Sequence, residues 1–250
     1  MHSIEGRFFQ NLPPNFILGD DAAQQRLFRE YGAVFLARGG VLAPNKVVFR
    51  DEEDVAEFQS RLDIERRQIG EFSLELQATA MARLQRAINE ASDEGLSISP
   101  RGADSARRNY SHTIALWNSR VEPALVHWVE KERITQEQAD AIRELPPFKQ
   151  VPEVFALEEQ GIFFAKDLSK SIIYSVAPPG ASQHLSLLAF DVAEFDNARV
   201  REILADNYWY QTVTSDLPHF TFLGVAESEL AELGLRLVEN SSRRFWLPDV

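Results

Sequence analysis

The segment between Ala177 and Asp191 constrains the fold more than any other stretch of this sequence. A rigid Pro-Pro-Gly turn at positions 178–180 leads to His184, and an apolar run then continues to Asp191. Because side chains alternate between the two faces of a strand, one straight strand would place His184 and Asp191 on opposite faces. We therefore expect His184 to lie on the loop that the turn opens, and Asp191 to lie on the strand that follows.

A second histidine, His219, follows Asp216-Leu-Pro and precedes alternating apolar residues that predict another strand. The chain has no cysteine, so a metal site would have to use histidine nitrogens and carboxylate oxygens. Two histidines and one aspartate could hold a zinc ion and leave a fourth position open for water. From the residues alone, the alternative is an exposed loop histidine and an unrelated buried aspartate.

The charge balance argues against nucleic acid as a partner. The 250 residues include 38 acidic and 26 basic side chains, for a net charge of −12. This excess repels phosphate backbones and anionic lipid surfaces. No apolar run reaches membrane-spanning length, and Met1–Arg7 contain no hydrophobic signal core. We therefore expect no transmembrane segment, and the oligomeric state stays open.

Hydrophobic periodicity predicts a helical first half. Apolar residues recur at helical spacing between residues 51 and 89, with a break at Gly70. Two β-type runs, residues 32–38 and 46–50, are expected to pair as strands before these helices. Further helices are predicted between residues 104 and 160, the first capped by Asp104 or Ser105, with a new helix starting at Pro123.

The pattern changes after residue 160, where β-rich runs become frequent. Their connections are too short for repeated parallel βαβ units. The predicted short strands, one of them upstream, are residues 95–100, 162–164, 171–176, 187–192, 211–214 and 220–223. We therefore predict an α+β fold: a helical N-terminal half with a strand pair, then a small, mostly antiparallel sheet that carries the zinc site.

The spacing of the candidate ligands resembles a known motif. Ser182-x-His184 is followed after six residues by Asp191, and Ala189 lies two positions before the aspartate. This pattern resembles the Ser-x-His-x-x-Gly-x-Ala-x-Asp motif of the M15 zinc D-alanyl-D-alanine carboxypeptidases. That family includes VanY-type carboxypeptidases and VanX-type dipeptidases, and its fold is Hedgehog/DD-peptidase-like.

Two further elements are similar to this family. Asp216-Leu-Pro-His219 resembles its Glu-x-x-His element, and Ser-Pro-Arg101 resembles its upstream Ser-x-Tyr-Arg segment. The resemblance covers roughly residues 96–224. It implies a peptidase core over residues 96–235, preceded by residues 1–95 packed on the core and followed by a tail of residues 236–250. A single domain is the alternative.

The resemblance implies zinc-dependent hydrolysis of a D-Ala-containing bond in peptidoglycan stem peptides, in the periplasm or outside the cell. By the resemblance, the zinc ligands are His184, Asp191 and His219, the general base is Asp216, and the substrate-binding residues are Arg101 and Ser182. Arg107 and Arg108 fit an anionic ligand, but we favour their interpretation as a solvated helix face.

Two departures from the motif leave a second function open. Leu187 stands at the motif glycine, and Asp216 is one methylene shorter than the motif glutamate. A misplacement of about 1 Å can cost on the order of 100-fold in rate. The alternative is therefore a catalytically impaired protein that binds cell-wall peptides and retains the zinc site. Endopeptidase action on stem peptides is a third possibility.

Overall fold

The computed structural model describes residues 6–250, so most of the Met1–Arg7 stretch lies outside the described range. The helices within that range are α1 (Arg7–Gln10), α2 (Ala22–Tyr31), α3 (Glu52–Gln59), α4 (Ala78–Asp93), α5 (Tyr110–Glu130), α6 (Gln136–Glu144), α7 (Pro147–Glu159), α8 (Ala198–Asp206) and α9 (Glu227–Leu230). The strands are β1 (Ile64–Ile69), β2 (Phe72–Gln77), β3 (Ala189–Asp191), β4 (Trp209–Tyr210), β5 (His219–Phe222), β6 (Leu235–Asn240) and β7 (Arg243–Pro248). Helices combined with small antiparallel sheets agree with the predicted α+β class.

The largest error of the sequence prediction concerns residues 64–77, which form the β1–β2 hairpin instead of a helix. Gly70 does not separate two helices, because it opens a two-residue turn between the paired residues Ile69 and Phe72, with a φ of +60°. The alternation of Phe72, Leu74 and Leu76 is a period of two, and it indicates the strand directly. Helical prediction holds on either side, in α3 and α4.

The predicted strand pair at residues 32–38 and 46–50 is wrong. Residues Gly32–Leu36 form a 3₁₀ helix that is buried throughout. Residues 47–49 are also buried, but they belong to no strand. A short apolar run enclosed by the core has no periodicity that distinguishes a strand from other buried segments.

Other predicted strands are shorter than expected or absent. Residues 95–100 contribute only an isolated bridge between Pro100 and Val192. Residues 162–164, 171–176 and 211–214 lie outside the strands, and Ile172–Tyr174 form a 3₁₀ helix. The predicted strand at 187–192 shortens to β3, whereas that at 220–223 corresponds closely to β5.

Helix α5 is one continuous helix of 21 residues that packs against α3 and α6. Its N-cap is Asn109, not the predicted Asp104 or Ser105, and Asn109 accepts a hydrogen bond from the His112 N–H. Pro123 lies inside the helix, so the expected restart of a helix there is wrong. Trp117, Val121 and Leu125 recur at helical spacing and are buried.

The three-stranded sheet has the order β3-β5-β4, with antiparallel neighbours. The main hydrophobic core extends from Phe8 near the start of the described chain to Trp246 in β7, and includes Phe190 and Phe220 of the sheet. Residues 235–248, which include most of the expected tail of residues 236–250, form the β6–β7 hairpin. The division into domains stays a prediction. Among the described residues, no helix is both long and apolar enough to cross a membrane.

Candidate metal centre

The Pro-Pro-Gly turn is anchored to the first half of the chain. The Gly180 carbonyl accepts a hydrogen bond from the Phe49 N–H at 3.0 Å, and the Gly180 N–H donates to Thr113 Oγ1 at 3.3 Å. Gly180 has a φ of +76°, and a Cβ there would lie 1.8 Å from the Phe49 carbonyl oxygen. Only glycine fits this approach, so the turn fixes the start of the segment that carries His184.

His184 lies on the 3₁₀ turn Gln183–Ser186. This agrees with the prediction that His184 lies outside the strand. The turn ends at Leu187, which has a left-handed backbone (φ 59°, ψ 31°) and a completely buried side chain. The left-handed conformation suits the glycine of the motif and costs a leucine about 1–2 kcal/mol. Strand β3 begins two residues later, and this change of direction brings Asp191 back towards His184.

The pairing of β3 with β5 places Asp191 directly opposite His219. The Asp191 Oδ1 atom lies 3.2 Å from His219 Nδ1 and 3.3 Å from His184 Nε2. One ligand atom from each of these residues lies within 4.8 Å of the other two, and together they could hold a metal ion. The structure therefore brings together the three residues that the sequence singled out as ligands.

Each imidazole ring makes a hydrogen bond on the side away from this centre, and that bond determines which of its two nitrogens carries the proton. His184 Nδ1 lies 2.7 Å from the Ala106 carbonyl oxygen, and His219 Nε2 lies 2.9 Å from Gln183 Oε1. Both partners are acceptors, so in the neutral form of each ring this nitrogen carries the proton. His184 Nε2 and His219 Nδ1 then point unprotonated lone pairs at Asp191 Oδ1.

Three acceptor atoms thus converge without a proton between them. His184 Nε2 is buried and has no hydrogen-bond donor among residues 6–250. Burial is the largest effect on His184 and lowers its pKa below 6.5, and the positive charge of Arg108 lowers it further, against the opposing effect of Asp191. A neutral His184 cannot donate from Nε2, so a cation is the group that fits between these atoms.

Arg108 fixes the other oxygen of Asp191, a contact that the sequence interpretation missed. Its Nη2 donates to Asp191 Oδ2 at 2.7 Å, and its side chain is only 16% exposed. Burial alone would raise the pKa of Asp191, and the Arg108 guanidinium opposes this effect because it favours the charged carboxylate. The predicted solvated helix face is therefore wrong for Arg108, which precedes α5 and packs against the site.

Arg107 belongs to a different surface from Arg108. Its guanidinium contacts Glu75 of β2 and Gln59 of α3, and its side chain is 44% exposed. The two neighbouring arginines lie before α5, outside any helix or strand, and their side chains face different surfaces. Sequence alone gave no signal for this, because the predicted helix start was four or five residues too early.

The remaining predicted site residues line one cavity of about 280 Å³ beside the three ligand atoms. Ser182 is buried, whereas Arg101 and Asp216 are exposed. The Arg101 guanidinium lies 5.9 Å from the Phe195 ring centre, and its backbone N–H donates to the Asp191 carbonyl. The Asp216 carbonyl accepts from the His219 N–H, and its carboxylate has no hydrogen-bond partner within the described chain.

The long segment between Arg101 and His184 forms one wall of this cavity. Helix α5 contributes Thr113, Leu116 and Arg120, and residues 173–177 lie beside them. Arg120 Nε donates to Ser175 Oγ at 2.8 Å, and Arg120 pairs with no carboxylate among the described residues. Arg120 could not be singled out from the sequence, because no local pattern places it in the same cavity as the three ligands.

Comparisons with known proteins leave the family open. No family model matches the chain, and no curated protein matches it. One solved structure is similar: a VanY D,D-pentapeptidase of vancomycin resistance from a VanB-type cassette, a glutamate-to-alanine mutant in complex with Zn(II). The sequence identity is 16%, the TM-score is 0.37, and the match covers 66% of this chain and 82% of that chain. Likeness at this level does not establish a shared family or activity.

Proposed function

We propose that this protein is a zinc-dependent peptidase of the D,D-carboxypeptidase type, which hydrolyses a D-Ala-containing bond in peptidoglycan stem peptides. The observation that carries the proposal is the convergence of three unprotonated acceptor atoms, from His184, Asp191 and His219, at the edge of a cavity. The motif spacing of these residues gives the reaction class. The same proposal places the protein in the periplasm or outside the cell, with a Hedgehog/DD-peptidase-like core.

The three ligands would hold zinc, which supplies a bound water of lowered pKa and a Lewis acid for the scissile carbonyl. His184 presents Nε2 and His219 presents Nδ1, each held by a hydrogen bond on the other ring nitrogen. Arg108 fixes the orientation of the Asp191 carboxylate. These partners pre-organise the site before substrate arrives.

Asp216 is the general base in this proposal. Asp216 lines the cavity and is exposed, and its carboxylate makes no hydrogen bond within residues 6–250, so it is free to accept a proton from an attacking water. It takes the proton of that water and passes it to the leaving amine. Its backbone is tied to His219 through the His219 N–H, which keeps the base and a ligand on one short turn.

Two arginines give the cavity an affinity for a terminal carboxylate. Arg101 and Arg120 both line the cavity and have no carboxylate partner among the described residues, although the chain is strongly acidic. A guanidinium binds a carboxylate through charge-assisted hydrogen bonds. Ser182, buried next to His184, adds a hydroxyl on the same wall.

The decisive experiment is incubation of the zinc-loaded protein with pentapeptide muropeptides, followed by mass spectrometry. We expect release of one D-alanine, and no release from a stem that ends in L-alanine. His184→Ala should lose both zinc and turnover. A wild-type protein that takes up no zinc excludes the proposal. Zinc uptake and muropeptide binding without turnover would instead favour the catalytically impaired binding protein.

A further inference from the structure

Gln183 lies directly before the first ligand in sequence, but its side chain contacts the second. Its Oε1 accepts from His219 Nε2 at 2.9 Å, across 36 positions of the chain. Gln183 is 4% exposed, so this contact is largely shielded from solvent. Neither the motif spacing nor the cavity assigns any role to this residue.

The orientation of the Gln183 carboxamide is fixed by its other partners. Its Nε2 donates to the Tyr31 carbonyl oxygen at 2.9 Å, and a carbonyl can only accept. Its Oε1 also accepts from Thr221 Oγ1. A flipped amide would press its oxygen against the Tyr31 carbonyl, so Oε1 must face His219.

The two threonines complete a closed ring of hydrogen bonds with Gln183. The Thr221 hydroxyl proton goes to Gln183 Oε1, so Thr212 Oγ1 must donate to Thr221 Oγ1, 2.6 Å away. Thr212 Oγ1 can then accept from Gln183 Nε2 at 3.5 Å. All three side chains are buried, and a fully satisfied buried network holds its members in one arrangement.

This ring decides a competition for the proton of His219. Asp191 Oδ1 lies 3.2 Å from His219 Nδ1, and a carboxylate would draw the proton to that nitrogen. A proton on Nδ1 would leave an unprotonated Nε2 facing Gln183 Oε1, which is an unfavourable contact between two buried acceptors. The amide therefore opposes the tautomer that would block Nδ1.

We propose that Gln183 is a positioning residue, which keeps the proton of His219 on Nε2 and so presents Nδ1 to a divalent cation. The centre then uses different nitrogens from its two histidines, Nε2 of His184 and Nδ1 of His219. The inference rests on the proposed metal site for its purpose, but the tautomer itself is a property of the metal-free protein. It can therefore be measured without turnover.

The test is ¹⁵N NMR of the histidine side chains in metal-free protein, together with zinc affinity from chelator competition. Wild type should show His219 with Nε2 protonated and Nδ1 unprotonated. Gln183→Met keeps the length of the side chain and removes its acceptor. We expect the variant to move the proton towards Nδ1 and to bind zinc about 10- to 100-fold more weakly.

A matched control is available in Gln150, another buried glutamine, whose Oε1 accepts from Trp117 Nε1 away from the metal centre. Gln150→Met should leave both the His219 tautomer and zinc affinity unchanged. If Gln183→Met does not fold, Thr221→Val breaks the ring more mildly, and a smaller shift in the same direction is expected.

The outcomes separate this inference from the proposed function. Protonation of His219 at Nδ1 in the metal-free wild type overturns the inference, even if the protein hydrolyses muropeptides. So does a folded Gln183→Met variant whose tautomer and zinc affinity equal those of wild type. A wild type that binds zinc through the stated tautomer but hydrolyses nothing supports the inference and counts against the peptidase.

Discussion

Arg108 donates from Nη2 to Asp191 Oδ2 at 2.7 Å, so the central carboxylate is shared between an arginine on one oxygen and two histidines on the other. The pair is largely shielded, with side-chain exposures of 16% for Arg108 and 12% for Asp191. Without the Arg108 guanidinium, the buried Asp191 carboxylate would have only neutral partners in the metal-free protein.

We therefore expect Arg108→Met to lower the free energy of unfolding of the metal-free protein by about 1–3 kcal/mol, between the values for exposed and buried pairs. Urea unfolding in the presence of a chelator measures this. Arg107→Met is the matched control, because its pair with Glu75 is more exposed and should contribute less than about 1 kcal/mol. Equal effects of the two substitutions would contradict the shielding argument.

The candidate site was more predictable from sequence than the fold around it. His184, Asp191 and His219 stand out because residue type and spacing carry chemistry that a sequence displays directly. The position of His184 on a turn followed from the two-residue period of a strand, and the structure agrees. The metal-binding role of the three residues stays a proposal.

The features that could not be predicted from the sequence mostly depend on contacts between distant segments. Arg108 was misassigned because the start of α5 depends on the Asn109 cap, which competed with other plausible caps such as Asp104 and Ser105. The Gln183 network joins residues from four separate segments, so no local sequence pattern predicts it. The β1–β2 hairpin was a different kind of error, because its alternation was visible but the charged residues of β1 resemble a solvated helix face.

Leu187 offers a test of backbone strain next to the site. Its left-handed backbone disfavours any residue with a Cβ, so glycine should be better tolerated there than alanine. We expect Leu187→Ala to destabilise the protein by about 2–5 kcal/mol through loss of a buried side chain. Leu187→Gly should be about 1 kcal/mol less harmful, in urea unfolding of both variants.

Leu185 supplies the control, because it is equally buried but does not have a positive φ. At position 185 we expect the alanine variant to be the more stable one, with the glycine variant lower in free energy of unfolding by about 0.5–1 kcal/mol. If alanine is more stable than glycine at both positions, the Leu187 backbone relaxes in the variants and the turn does not impose the left-handed conformation.

Arg120 is expected to select substrates that end in a free carboxylate. A charge-assisted hydrogen bond contributes about 1.5–3 kcal/mol, so Arg120→Gln should weaken such a ligand about 10- to 100-fold. Muropeptide amidated at its C-terminus should bind wild type and variant alike. Titration calorimetry with the zinc-loaded proteins measures both ligands.

Arg133→Gln is the control for Arg120→Gln, because Arg133 packs on Trp128 and does not line the cavity. It should leave selectivity unchanged. Ser175→Ala removes the acceptor of Arg120 Nε and should give an intermediate loss. If Arg120→Gln binds the free carboxylate as tightly as wild type, Arg101 remains the candidate anchor.

Asp54 gives a prediction about acid stability. Burial alone would raise the pKa of Asp54, but hydrogen bonds from Lys46 Nζ and from the Arg50 N–H lower it below 3.8. The stabilisation is therefore present above about pH 3.8, the value in the unfolded chain, and is lost as the pH falls through the lower folded pKa. Asp54→Asn should lose about 1–3 kcal/mol at neutral pH and show a flatter acid dependence.

Asp51→Asn is the matched substitution for Asp54→Asn. Asp51 caps α3 through the Asp54 N–H, and asparagine caps a helix about as well as aspartate. Its stability should change by less than about 0.5 kcal/mol at neutral pH. Unfolding followed from pH 7 down to pH 3 separates the two variants, and parallel curves for wild type and Asp54→Asn would contradict the stated cause.

Asp216 decides between the two functions proposed for this site. A general base contributes typically 10²–10⁴-fold, so Asp216→Ala should lower kcat on muropeptide by at least about 100-fold. Zinc content should not change, because the contact with His219 comes from the Asp216 backbone carbonyl, which the substitution keeps. Ser215→Ala, on the same cavity wall, should leave kcat nearly unchanged.

Asp216→Glu restores the reach of the motif glutamate and should retain turnover. If wild type and Asp216→Ala release alanine at the same rate, Asp216 is not the base. If neither releases it but both bind muropeptide, the site recognises cell-wall peptides without cutting them.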